Sequence, residues 1–191
     1  MKELLIYGGG LLSFGSMLWF AIDICRGKAK PTSMASWLMW AIMDSVVLGS
    51  TIAAHKPYAL ALSYVAGASS VFIVHIWKGK WVWTSLETWS AIGAAISMGL
   101  WLTLSPEAGV IAGVVAMTAA GMPLVLSFIK APDRQAFWLF ANVAIACGMT
   151  LIATWPWTIG GSLLSGGGIL YNGYVAYLAL KDKRQPVVVA A

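Results

Sequence analysis

The sequence predicts an all-α integral membrane protein with seven transmembrane helices in a three-one-three order: two parallel three-helix repeats joined by an inverting linker helix. Three observations carry this. Of the 191 residues, 60% are hydrophobic and only 10% charged, whereas a soluble domain holds ~25% charged residues. The apolar residues run in continuous stretches near the ~20 residues a helix needs to cross the hydrocarbon core, not in the ~10-residue alternating segments of a barrel. The basic residues are lopsided. Arg26, Lys28, Lys30, Lys78, Lys80, Lys130, Arg134, Lys181, Lys183 and Arg184 fall on one side of the expected spans, and only Lys2 and Lys56 on the other. That asymmetry places the first side in the cytoplasm and the N-terminus outside. Seven crossings then leave the C-terminus inside, and a prokaryotic inner (plasma) membrane is the expected location.

The spans follow in order. The first, Leu4–Cys25, lacks the charged, apolar and small-residue layout of a cleaved leader and is a helix in its own right. Asp23 near its end is expected to pair with Arg26 or snorkel beside it. Span two, Ser33–Ala54, opens after Pro31 and carries Trp37, Trp40 and a midspan Asp44. Span three, Tyr58–Trp77, is rich in alanine, serine and glycine, so helix backbones can approach it closely. Its His75 is read as an interfacial hydrogen-bonding group. It lies across the membrane from His55, so the two cannot share a metal. Span four, Ser85–Leu104, opens on Thr84-Ser-Leu-Glu87, a capping-box pattern. Span five is Glu107–Ile129, and span six, Gln135–Thr154, carries Trp138 and Asn142. Span seven, Thr158–Leu180, combines many glycines with Tyr171, Asn172 and Tyr174. Prolines 31, 57, 106, 132 and 156 lie in or beside connections, where a missing N–H costs least. Trp77, Trp81 and Trp83 mark the inner interface, and Trp155 and Trp157 the outer one. Cys25 and Cys147 read as small packing residues.

A local repeat supports the two halves. Pro31-Thr-Ser-Met-Ala35-Ser-Trp37-Leu38 matches Pro132-Asp-Arg-Gln-Ala136-Phe-Trp138-Leu139 at a shift of 101 residues. The same shift lays Gly67 on Gly168. The units are then residues 1–80 and 106–191, the second ending in a short cytoplasmic tail, with 81–105 as the linker helix. The third helix of each unit, with its small residues, is expected at the unit's centre.

The order of helices, with the segments Gly121-Met-Pro123-Leu-Val-Leu-Ser-Phe-Ile-Lys130 and Ile22-Asp23-Ile-Cys-Arg26-Gly-Lys28, resembles the SWEET/PQ-loop/PnuC superfamily of small seven-helix transporters. Pro123 stands where the PQ-loop proline would be, with Leu124 in place of the glutamine and Ile22-Asp23 in the first half. Asp23-x-x-Arg26-Gly-Lys28-x-Lys30-Pro31 followed by Ser36-Trp37-Leu38-x-Trp40-Ala41 also looks like a group of uncharacterised prokaryotic seven-helix proteins. The resemblance implies a central cavity between the units and a substrate-contacting role for Asn172. Its counterpart at the 101 shift is Val71, so the paired asparagines of many sugar carriers are not both present. In the nicotinamide-riboside branch tryptophans stack on a planar ligand. Trp37, Trp40 and Trp138 can be read that way, or as interfacial anchors and packing residues.

Asp44 is the most informative single residue. An ionised carboxylate at midspan costs ~2.5–3.5 kcal/mol on insertion scales, and such groups face a cavity or a partner. It is read either as a protonatable, substrate-contacting group that could couple proton movement, or as a structural aspartate bonded to a neighbouring helix. Asn142, matched to Ala41 at the 101 shift, is expected on the face corresponding to that of Asp44. Asp44, Asn142, Asn172, Trp37, Trp138 and Tyr171 thus form the expected solute site.

No nucleophile–base pair, metal cluster or phosphate-cradling loop suggests an enzyme, and no cofactor is implied. A retinal protein would need a lysine inside span seven, and Lys181 falls only at its end. The expected partners are the bilayer and a small-molecule solute, not nucleic acid, and a homo-oligomer stays open. The expected function is a small-solute transporter, facilitative or proton-coupled, with a non-transporting receptor or assembly factor as the alternative.

Overall fold

The computed structural model describes residues 1–30, 32, 34–78, 83–130 and 132–181. Pro31, Ser33, Lys80, Trp81, Lys183 and Arg184, used above, lie outside the described residues. The described chain is helical: α1 Lys2–Cys25, α2 Met34–Ala53, α3 Ala59–Lys78, α4 Ser85–Thr103, α5 Pro106–Ala120, α6 Met122–Lys130, α7 Arg134–Ala153 and α8 Ile159–Leu180. Five helical stretches are long and apolar enough to cross a membrane: α1, α2, α3, the α5–α6 stretch Pro106–Lys130, and α7. The protein is therefore an all-α protein of membrane character.

Local chemistry sets the helix starts. Ser105 caps α5 by accepting from the Ala108 N–H at 3.2 Å, with Pro106 in the first turn where its missing N–H is harmless. Asp133 caps α7 through the Gln135 N–H at 3.0 Å. Ahead of α4, Glu87 accepts from both the N–H (2.9 Å) and the hydroxyl of Thr84, the returning half of the expected capping box.

One expected span is interrupted. The helix over 106–130 breaks at Gly121, two residues before Pro123, which has no N–H to continue the ladder. Neighbours supply the polar partners that a membrane interior demands. The Tyr171 hydroxyl of α8 donates to the Gly121 carbonyl at 2.9 Å, and the Trp40 indole of α2 donates to the Met117 carbonyl at 3.1 Å.

The helices pack in a ring. Helix α3 packs against α1 and α2; α2 against α5; α5 and α6 against α8; α8 against α7; and α7 closes on α1. Helix α4 packs on α5 and α2, beside the ring. The small residues explain why α3 and α8 take their places. A Cβ on Gly67 of α3 would overlap the Met17 side chain of α1, and one on Gly168 of α8 would lie 2.5 Å from Cys147 Sγ of α7.

Two sets of helices keep time at a shift of 100 residues. Helices α2 and α7 begin at 34 and 134 and end at 53 and 153, while α3 and α8 begin at 59 and 159. Burial on α1 and α5–α6, and on α2 and α7, follows the same shift. Gly9, Gly10, Ser13, Phe20 and Ile24 are buried on α1, and Gly109, Val110, Gly113, Ala120 and Leu124 on α5–α6. Met39, Trp40, Met43, Val46, Val47 and Ser50 are buried on α2, and Leu139, Phe140, Val143, Ala146, Cys147 and Thr150 on α7. For α1 with α5–α6 and for α2 with α7 the expected shift of 101 is therefore corrected by one, while Ser63, Tyr64, Val71 and His75 of α3 are buried like Leu164, Ser165, Asn172 and Ala176 of α8, at the expected 101. On a helix one residue is ~100° of rotation, so the correction moves side chains to a different face.

Candidate functional site

The ring encloses a cavity of ≈ 70 Å³ to which α1, α2, α3, α5, α7 and α8 all contribute. Space of that size holds a few water molecules or a small part of a solute. Asp44 lines it from α2, with Trp40 one turn and Trp37 two turns away on the same helix. Asp44 is only 3% exposed, and its Oδ1 has no hydrogen-bond partner among the described residues. A buried carboxylate oxygen without a partner is costly, and such cost is tolerated where the group serves a site.

Opposite Asp44 stand Tyr64 of α3 and Tyr171 and Asn172 of α8. The Asn172 amide donates to the Gly168 carbonyl at 2.8 Å, which holds the side chain on the cavity-lining face of its helix. Gly168 leaves room there: a Cβ on it would lie 3.1 Å from the Tyr64 hydroxyl. That hydroxyl sits 2.8 Å from Cys147 Sγ, so α3 and α7 meet through a polar contact at the cavity wall. Cys147 packs, as expected of a small residue, and also partners Tyr64.

Aromatic rings close one end. Trp37 and Trp40 meet edge to face with centroids 4.9 Å apart, and Trp40 meets Tyr171 at 6.0 Å and 87°. Behind them Trp37 donates to Thr32 Oγ1 at 2.7 Å. The Thr32 N–H donates to His75 Nε2 at 2.9 Å, and His75 Nδ1 lies 2.8 Å from the Val71 carbonyl. An N–H can only donate and a carbonyl only accept, so Nδ1 carries the proton and Nε2 is the acceptor. His75 thus ties the end of α3 to the approach to α2, which is the hydrogen-bonding role read from its position.

Four of the six expected site residues come together: Asp44, Asn172, Trp37 and Tyr171 line the cavity. Asn142 and Trp138 do not. They line a separate groove of ≈ 430 Å³ between α1 and α7, together with Ser16, Trp19, Asp23 and Gln135. The register explains the correction. At the observed shift of 100, Asn142 corresponds to exposed Ile42, not to Ala41, and Trp138 to Leu38, not to Trp37. Trp138 is 65% exposed and Trp37 only 1%. Asp23 also departs from expectation. Instead of pairing with Arg26, it is 6% exposed and its Oδ1 has no partner among the described residues.

Sequence reasoning missed Tyr64, Thr118 and Phe140 as cavity residues. The signal for Tyr64 was present: it lies one turn from Gly67 and Ala68, on the small-residue face of span three. Thr118 and Phe140 carry no comparable sequence signal.

No family model matches the chain, and no curated protein or solved structure resembles it closely enough to show relatedness.

Proposed function

We propose that the protein is a small-solute membrane transporter of seven spans in the three-one-three order, with α5 and α6 forming one span and α4 the inverting linker. The N-terminus faces outward and the C-terminus the cytoplasm, because ten of the twelve basic residues lie on the C-terminal side of the spans. The ring supports the two-repeat reading. Helix α3 packs between α1 and α2 as α8 packs between α5–α6 and α7, and the seams α1·α7 and α2·α5 are each other's counterparts. Parallel repeats that rock across such seams around a midplane site are a recurrent transporter design. The resemblance to SWEET-type carriers points the same way.

The observation that carries the proposal is the buried Asp44 carboxylate, whose Oδ1 has no partner among the described residues, in a cavity lined by both halves. Indole and phenol rings with one carboxylate and one amide suit a small solute having an apolar body and a positive charge or hydrogen-bond donor. Asp44 receives that group, or carries a proton in exchange for it.

The test begins with a ligand screen for thermal stabilisation of the purified protein, since a specific binder raises apparent stability by mass action. The best binder is then followed into proteoliposomes with and without a pH gradient. Asp44→Asn keeps the shape and removes the titration. If Asp44 couples protons, the variant loses uphill accumulation and keeps exchange. If it only binds solute, both fall together. Full gradient-driven uptake by a well-folded Asp44→Asn protein overturns any transport role for Asp44.

A further inference from the structure

The groove between α1 and α7 is a second site, and the cavity proposal does not use it. The two helices are in close contact at Gly9, where a Cβ would lie 2.8 Å from the Ala146 carbonyl, and the groove lies along the same pair of helices between Leu11 and Asp23. The opening holds ≈ 430 Å³, and its lining includes Asp23, Ser16 and Trp19 from α1 and Gln135, Trp138 and Asn142 from α7, alongside Phe20 and three leucines. Trp19 is 59% and Trp138 65% exposed, so both indoles stand at the mouth. Asp23 is buried among them, with an Oδ1 that nothing among the described residues satisfies.

We propose that this groove binds the ammonium headgroup of a zwitterionic phospholipid from the leaflet next to the α1–α2 connection. The chemistry selects the headgroup. A buried carboxylate oxygen without a donor calls for a cation or a strong hydrogen-bond donor, and an ammonium supplies both. Exposed indole faces hold such a cation by cation–π attraction and lie against the first methylenes of the acyl chains. The amide oxygens of Gln135 and Asn142 add acceptors, and neither α1 nor α7 places a basic side chain among the groove residues. Basic groups stand just outside instead. Arg26 follows Asp23 by three residues, and Arg134 opens α7 one residue before Gln135. A headgroup with its ammonium at Asp23 therefore has its phosphate on the basic side. An anionic lipid would find the arginines and leave Asp23 unmatched. Apolar helices of membrane character surround the groove, so the lipid phase is the source from which it fills.

The test uses the full chain, delipidated in detergent, with phosphatidylethanolamine or phosphatidylglycerol of identical acyl chains added back. Phosphatidylethanolamine raises the unfolding midpoint saturably, by about 4 °C or more, and phosphatidylglycerol does not. Asp23→Asn loses that shift. Trp138→Leu, at an exposed position that does not threaten folding, weakens lipid binding at least threefold and serves if Asp23→Asn folds poorly. Equal stabilisation by the two lipids overturns the proposal, as does a phosphatidylethanolamine shift undiminished in Asp23→Asn or a lipid affinity unchanged in Trp138→Leu. Water-soluble phosphoethanolamine at the same concentration tests the source: a shift as large as the lipid's means the groove takes a free solute, and the lipid assignment fails. None of these measurements involves transport, so the groove and the Asp44 cavity stand or fall separately.

Discussion

Helices α2 and α7 are bounded by residues 100 apart and buried in the same rhythm, yet their chemistry differs. Helix α2 turns Trp37, Trp40 and Asp44 inward to the cavity. Helix α7 puts Phe137, Phe140 and Ala144 at the corresponding positions, and turns Trp138 and Asn142 to the groove shared with α1. The seams differ as well. At the α1·α7 seam a Cβ on Gly9 would meet the Ala146 backbone carbonyl at 2.8 Å. At the α2·α5 seam, one on Gly113 would meet a Val47 methyl at 2.6 Å. Helix bounds and burial rhythm recur on α2 and α7, while the polar groups are allotted one by one. The carboxylate of the cavity comes from the first half and its amide from the second.

The largest expected effect separates the tryptophans. Trp37 is 1% exposed and hydrogen-bonded to Thr32, while Trp138 is 65% exposed. Replacing each with leucine tests whether the shift of 100 or of 101 describes the halves. In lipid the transfer part of the usual core penalty falls away, but the cavity and the lost contacts remain. Trp37→Leu is expected to cost about 2–4 kcal/mol in mixed-micelle unfolding, and Trp138→Leu less than about 0.5. Equal losses would mean that the two tryptophans are counterparts after all.

That register marks the limit of what the sequence discloses. Each expected span end lies within two residues of an observed helix end, because apolar length and flanking prolines are strong local signals. The inward positions of Asp44 and Asn172 were also legible, since polar groups in apolar helices have few places to go. The alignment of the halves was not. The connection after α1 runs over 26–33, whereas that after α6 runs over 131–133. A proline-and-tryptophan match across connections of unequal length is free to slip by one. Tryptophan suits a core and a lipid-facing surface alike, so its recurrence says nothing about the face. Burial along α1, α2, α5–α6 and α7 carries the register of those pairs, and it becomes visible only once the helices are packed.

The glycine seams come next in size. Gly9→Ala puts a methyl against a backbone carbonyl that cannot move without parting the helices, and is expected to cost about 1–3 kcal/mol. Gly113→Ala meets a valine methyl that can shift with its side chain, and is expected to cost no more than about half as much. Unfolding midpoints of the two variants check this order. A reversed order would mean that the α2·α5 seam is the tighter of the two.

The smallest effect concerns a pair of hydroxyls and predicts opposite signs. Ser50 and Thr150 stand 100 residues apart on α2 and α7, and both are buried. Thr150 Oγ1 donates to the Ala146 carbonyl at 3.1 Å, the same carbonyl that faces Gly9. Ser50 Oγ has no partner among the described residues. A satisfied buried hydroxyl contributes about 1 kcal/mol, while an unsatisfied one costs desolvation without return. Thr150→Ala should therefore lower stability by about 1 kcal/mol, and Ser50→Ala should leave it unchanged or raise it by a similar amount. Thr150→Val, which keeps the branch and removes only the hydroxyl, separates the hydroxyl's part of the Thr150 loss from that of the methyl. A loss at both positions would show that Ser50 also bonds across its seam, and the two halves would then be more alike in their polar contacts than their tryptophans are.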